Sequence, residues 1–173
     1  MVRAGGNLPG LNVIDFQTQD DHVLLVASKS VPEILEISHV QKVEALEDQI
    51  RAMPPVDLPV THHFSAGVYA RELFIPKGTV LTGHIHKYTN LNIMSQGELS
   101  ILMEDGSVKR VKAPFTVVSP PGTKRLAYAH EDTIWTTIHG TEQTDVDDIE
   151  EHFIAHSHQE YLAFRALLEN KEN

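Results

Sequence analysis

The sequence contains no cysteine. Disulfides, zinc–thiolate sites, iron–sulfur clusters and cysteine nucleophiles are therefore excluded, and the cytosol is the expected compartment. Long apolar runs are also missing. None approaches the roughly 20 residues that a membrane helix needs, so no membrane partner is expected. The start, MVRAGGNLPGLNVIDF, lacks the basic flank and apolar stretch of a signal peptide. Positive charge is scarce: 14 Lys and Arg stand against 24 Asp and Glu, a net charge of −10. That balance argues against a nucleic-acid surface, which needs a basic patch. Residues 141–173 hold nine acidic and two basic residues, a net of −7 that leaves −3 for the rest. The acidity thus belongs mostly to a tail. Against a single tryptophan there are eleven histidines, and this lopsided count is the first hint of chemistry.

The 173 residues, 41% of them hydrophobic, suit one ordinary domain with something left over. Three segments are expected: an N-terminal strand and helical arm (1–57), a β-rich segment (58–140) whose short, regularly spaced strands suggest a sandwich or barrel, and acidic C-terminal helices (141–173). In the first, DHVLLVAS reads as a strand. Ser30, Pro32 and Glu33 mark one helix start, and Ser38 with Gln41 another. Val40, Val43, Leu46, Ile50 and Met53 then form one helical stripe, stopped by Pro54 and Pro55. This helix is expected to cover a sheet face. From Leu58 to Gly140 short β-rich runs alternate with turn signals. LSILMEDGSVKRVKA predicts a hairpin closed at Asp105-Gly106. Thr144 with Asp147 and Ser157 with Glu160 predict two later helices. Their stripes are Val146, Ile149, Phe153 and Tyr161, Phe164, Leu167, Leu168, and the final ENKEN is expected to fray.

The densest site signal is GTVLTGHIHKYTNLNIMSQG, residues 78–97. Alternate side chains of a strand share a face, so His84 and His86 point the same way. Asn90, Asn92 and Met94 share one face, Leu91 and Ile93 the other. The spacing Gly78, His84, His86, Asn90, Gly97 resembles the first motif of the cupin superfamily, and APFTVVSPPGTKRLAY (113–128) resembles the second. The resemblance covers roughly residues 60–140. It implies a mainly β fold, an RmlC-like double-stranded β-helix or jelly-roll barrel, here with helical extensions at both ends. More loosely, the chain is similar to small phage- or prophage-type cupins without assigned activity.

The departures matter. The cupin pattern supplies three histidines and one glutamate to a metal. His84 and His86 match it, but Asn90 stands at the glutamate position and Arg125 at that of the third histidine. Arginine stays protonated and cannot ligate a cation. A hairpin between TKRLAYA and TIWTTIH, centred on Glu131, would pair Arg125 with Thr137 and Thr123 with His139. His139 would then face inward with Arg125, Trp135 and Thr137, as the candidate third nitrogen ligand. A one-residue register error would reverse that choice. His62 and His63 are candidates for the barrel mouth. His130, His22, His39, His152, His156 and His158 read as solvated or hydrogen-bonded surface groups.

Two functions follow. In the first, His84, His86 and His139 hold a divalent ion (Zn, Fe, Mn, Ni or Cu) for metal-dependent catalysis on a small polar or anionic molecule. In the second, the barrel binds a small anion without metal. Arg125 would then clamp a carboxylate or phosphate, His84, His86 and Asn90 would hydrogen-bond the ligand, and Trp135 would cover its apolar face, with a sugar acid or nucleotide-like molecule as the expected partner. The apolar outer face at Leu91 and Ile93 needs a cover, from the helix at 39–53, the C-terminal helices or a second subunit, and a homodimer is expected, with DHVLLVAS or the helical arms contributing to its interface.

Overall fold

Alternation of apolar and polar residues dominates the middle of the chain, and the strands follow it. The computed structural model describes residues 38–170, together with the backbone of three short strands before them: β1 (Arg3–Gly5), β2 (Phe16–Gln19) and β3 (His22–Leu25). β3 realises the core of the DHVLLVAS strand and pairs antiparallel with β2. The helix start at Ser30, Pro32 and Glu33, the side chain of His22 and the last three residues of ENKEN lie outside the described residues.

The next helix is α1 (His39–Arg51), ending just before Pro54 and Pro55. The β-rich part follows as β4 (Val60–Ser65), β5 (Val68–Ile75), β6 (Val80–Thr82), β7 (Ile85–His86) and β8 (Asn90–Gln96). It continues with β9 (Glu98–Leu102), β10 (Val108–Lys112), β11 (Phe115–Ser119), β12 (Leu126–Ala129) and β13 (Thr133–Gly140). The chain closes with α2 (Val146–Phe153), β14 (Ile154–Ala155) and α3 (His158–Glu169). Among the described residues, no helix is long and apolar enough to cross a membrane.

Two antiparallel five-stranded sheets face each other. The first has the order β1-β6-β12-β9-β10, the second β11-β8-β13-β5-β4. The chain repeatedly crosses between them, which makes a jelly-roll barrel. The hairpin expected at Asp105-Gly106 is present as β9 and β10, with Gly106 at φ +83°. Gly97 has φ +93°, and a Cβ there would lie 2.2 Å from the Thr133 hydroxyl and 2.6 Å from the Asp132 carbonyl oxygen. Only glycine fits this crossing.

The expected hairpin around Glu131 does not form. β12 pairs with β6 and β9 in the first sheet, whereas β13 pairs with β5 and β8 in the second. Residues 130–132 instead carry the chain from one sheet to the other. His130 N–H donates to the Glu98 carbonyl, and the Asp132 side chain accepts from Lys77 N–H. Local alternation still placed His139, Thr137 and Trp135 on the inner face. The partner of His139 is Tyr69, not Thr123.

α1 lies on the outer face of the first sheet, with Val43 and Ile50 buried against Val80 and Leu126. Glu47 sits beneath it, accepting from Thr82 Oγ1 and from the ammonium of Lys124, all three groups being buried. α2 begins one residue later than the Thr144 signal suggests. Its N-cap is Asp145, whose carboxylate accepts from the backbone N–H of Asp147 and Asp148. α3 starts at the expected Ser157 cap. Its stripe is only half used: Tyr161 is buried, but Leu167 and Leu168 are 63% and 37% exposed. β14 pairs with β7, setting Ile154 opposite His86. The C-terminal segment is thereby strapped across one end of the barrel.

Candidate ligand-binding site

Between the sheets lies a cavity of about 300 Å³. Its walls follow from strand parity. Along β5, Tyr69, Arg71, Leu73 and Ile75 all line it; along β13, Trp135, Thr137 and His139 do; along β8, Asn90 and Asn92. His62, His84, His86, Ser119, Thr123 and Arg125 add to the polar lining, and α2 adds Val146, Ile149, Glu150 and Phe153 over one end. Every residue anticipated as metal-binding or ligand-binding (His84, His86, His139, Asn90, Arg125, Trp135) therefore lines one cavity.

Asn92 organises the polar wall. Its amide nitrogen donates to Asn90 Oδ1 at 2.6 Å and to Ser119 Oγ at 2.8 Å. Its oxygen accepts from Thr137 Oγ1 at 2.8 Å and from Trp135 Nε1 at 3.2 Å. All four hydrogen-bonding positions of the amide are thus occupied. The same network braces Arg125, whose Nη1 donates to Ser119 Oγ at 2.7 Å. Trp135 forms wall, with its only polar atom already bonded. Asn90 holds its oxygen toward Asn92 and its nitrogen toward the Tyr88 carbonyl.

The histidines form the second feature. The His86 and His139 rings stack at 5.1 Å, and His139 stacks on Phe153 at 4.2 Å. His84 Nε2, His86 Nδ1 and His139 Nδ1 are buried without a hydrogen-bond partner. Burial is the main reason that His84 is driven down to about 2 and His86 to about 3, with Arg71 adding to both. His139 falls to about 4, mainly by burial and secondarily through His152. All three rings are neutral near pH 7. Burial also lowers the pKa of Arg71 and of Arg125; guanidinium starts so high that both remain cations.

These residues do not fit the metal centre that the resemblance implies. Among the described residues, no group of three or more His, Asp or Glu side chains is arranged to hold a metal ion. The Asn90 oxygen that would replace the glutamate ligand already accepts from Asn92. Two guanidiniums line the same cavity, and a cation there would face both.

The remaining histidines divide. His62 lines the cavity and shares a 2.8 Å hydrogen bond with the Tyr69 hydroxyl, while His63, on the opposite face of β4, lies 3.8 Å from Glu72. His130 is not simply solvated: its Nε2 pairs with Ser100 Oγ at 2.7 Å. His39 Nε2 bonds the Lys124 carbonyl, and His152 stacks on Tyr88. His158 departs from the surface reading, since its Nδ1 is buried without a partner. The sequence reading missed Arg71, Tyr69 and the part played by Asn92. Parity could have found Arg71, because it is the one charged residue on the face of β5 that carries Tyr69, Leu73 and Ile75. Glu150 and Phe153 could not have been found this way, because α2 is brought to the cavity by the β14–β7 pairing.

No protein-family profile matches the chain, and no curated protein does. Solved structures do. An RmlC-like cupin family protein from Methanocaldococcus jannaschii shares 17% identity at a TM-score of 0.42, over 49% of this chain and 80% of that one. An RmlC-like cupin from Shewanella frigidimarina shares 19% at 0.42, over 53% and 80%. A cupin domain from Bordetella pertussis shares 15% at 0.41, over 51% and 98%.

Proposed function

We propose that this small cupin-type barrel binds a small organic anion, with Arg71 and Arg125 as the charge-recognising residues. The observation that carries this reading is the meeting of two guanidiniums from opposite sheets in one cavity, where Glu150 is the single carboxylate among the described lining residues. An arginine fork suits a carboxylate or phosphate oxygen pair, and burial strengthens such a contact by excluding water. The neutral imidazoles can each offer one N–H to the same ligand without adding charge. Electrostatic influence from Glu150 reaches Arg71 and helps to keep it charged. Of the two functions that the sequence suggested, anion binding is the one favoured. Calorimetric titration with small carboxylates, alongside elemental analysis of untagged protein, tests it. A carboxylate should bind one per chain, and Arg71→Gln and Arg125→Gln should each weaken it at least tenfold. One equivalent of a divalent metal, released by His84→Ala and His86→Ala, would overturn the proposal in favour of metal-dependent catalysis.

We also infer a homodimer through the outer face of the second sheet. Val118 is 61% exposed there, beside Leu91 at 36% and with Val68 on the same face at 41%. Light scattering at micromolar concentration should give twice the chain mass. A monomer that persists on concentration would remove the dimer.

A further inference from the structure

The cavity is not uniformly polar, and its polarity is ordered along the barrel axis. The strand registers show this rung by rung. Nearest α2, Tyr69 pairs with His139. On the next inward rung Arg71 pairs with Thr137, which in turn pairs with Asn92. One step deeper the rung is Leu73, Trp135 and Met94, and beyond it stands Ile75. The first sheet changes at the same point. Arg125 is followed inward by Ala127, which pairs with Leu81 on one side and Ile101 on the other. Successive inward residues of a strand are about 7 Å apart. The charged rung and the apolar rung are therefore separated by roughly the length of a short hydrocarbon chain. Leu73, Leu81 and Ile101 line the cavity itself and are not hidden behind it.

Resting on the anion-binding reading, we propose that the natural ligand is an amphiphilic carboxylate. Its charged group lies at the Arg71–Arg125 rung, and its aliphatic or aryl body fills the apolar end around Leu73, Leu81, Ile101 and Trp135. The ligand is not a sugar acid or another polyol. A polyhydroxylated body would bring several hydroxyls against Leu81 and Ile101, where no hydrogen-bond partner replaces water, and each would carry a desolvation cost. An alkyl body at the same place gains from each methylene removed from water. Trp135 strengthens this orientation, because its N–H is already committed to Asn92 and only its hydrocarbon surface remains for the ligand.

The test is a calorimetric series with acetate, butanoate, hexanoate and octanoate, compared with gluconate and with hexanol, on the full chain. Affinity should rise about fourfold for each added methylene until the cavity is full. Hexanoate should exceed gluconate at least tenfold. Arg125→Gln should lower every carboxylate by a similar factor and leave the chain-length slope unchanged. Ala127→Leu, which fills the apolar end, should spare acetate and weaken octanoate at least tenfold. Circular dichroism verifies that each variant is folded, and the wild-type series decides the question if Ala127→Leu is not. Affinities that stay flat from acetate to octanoate, or gluconate binding tighter than hexanoate, would overturn this assignment while leaving anion binding intact. Hexanol binding as tightly as hexanoate, or no carboxylate binding at all, would overturn both.

Discussion

The two sheets of this barrel line one cavity and have very different backs. The first sheet carries α1, which buries Val43 and Ile50 and covers the Glu47, Lys124 and Thr82 contact. The second sheet leaves Leu91, Val68 and Val118 open to solvent. The same strand alternation that sends Asn90 and Asn92 inward sends Leu91 and Ile93 outward. Along this part of β8 the back is apolar where the front is polar. The first sheet has its apolar back covered by α1, whereas among the described residues nothing covers Leu91, Val68 and Val118.

The sharpest way to break this contrast is to remove Glu47. Glu47→Ala leaves the Lys124 ammonium buried without its carboxylate and should cost about 3–5 kcal/mol, measured by urea unfolding. Ile50→Ala, which opens a cavity under the same helix, should cost about 2–5 kcal/mol. A loss below about 1 kcal/mol in both would mean that α1 contributes little to the first sheet.

Acid acts on the interior that the sheets share. His84, His86 and His139 have folded pKa values of about 2, 3 and 4, against about 6.5 in the unfolded chain. The unfolded state therefore binds more protons below pH 6.5, and stability falls as pH drops. The loss should begin near pH 6.5 and continue past pH 4, by at most about 1.4 kcal/mol per pH unit for each histidine. His139→Phe should make the urea midpoint less steep against pH. An unchanged pH profile would show that His139 titrates normally in the folded protein.

The smallest stability effect is expected on the bare back. Val118→Lys and Leu91→Lys should change monomer stability by no more than about 0.5 kcal/mol, as exposed substitutions usually do. Together they should halve the mass seen by light scattering. A double variant that stays dimeric would place the interface elsewhere.

Much of this molecule could be read without coordinates. The helix at 39–51, the Asp105-Gly106 hairpin, the Ser157 cap and the run of short strands all rest on local periodicity or turn chemistry, which neighbours in the chain determine; the choice of a barrel over a sandwich came from the resemblance. So does the inward direction of His84, His86, Asn90 and His139, because parity within a strand is a local property. Beyond the β9–β10 hairpin, the pairing of strands was not readable. The stretches around Arg125 and His139 are separated by a three-residue connection that looks like a turn, yet it joins two sheets. The inward face of His139 was argued from that pairing, and it holds without it, because alternation along β13 puts His139 on the face of Trp135 and Thr137.

Alternation, capping and glycine spacing are short-range, and they settled which residues form strands and which side chains face inward. Tertiary structure alone decided that Arg71 would join Arg125, that Asn92 would use all four of its hydrogen bonds, and that α2 would stand over the polar end. Each of these depends on strands remote in sequence coming to lie a few ångströms apart. Such approach is governed by burial and loop closure across the whole chain, and no local window of residues records it.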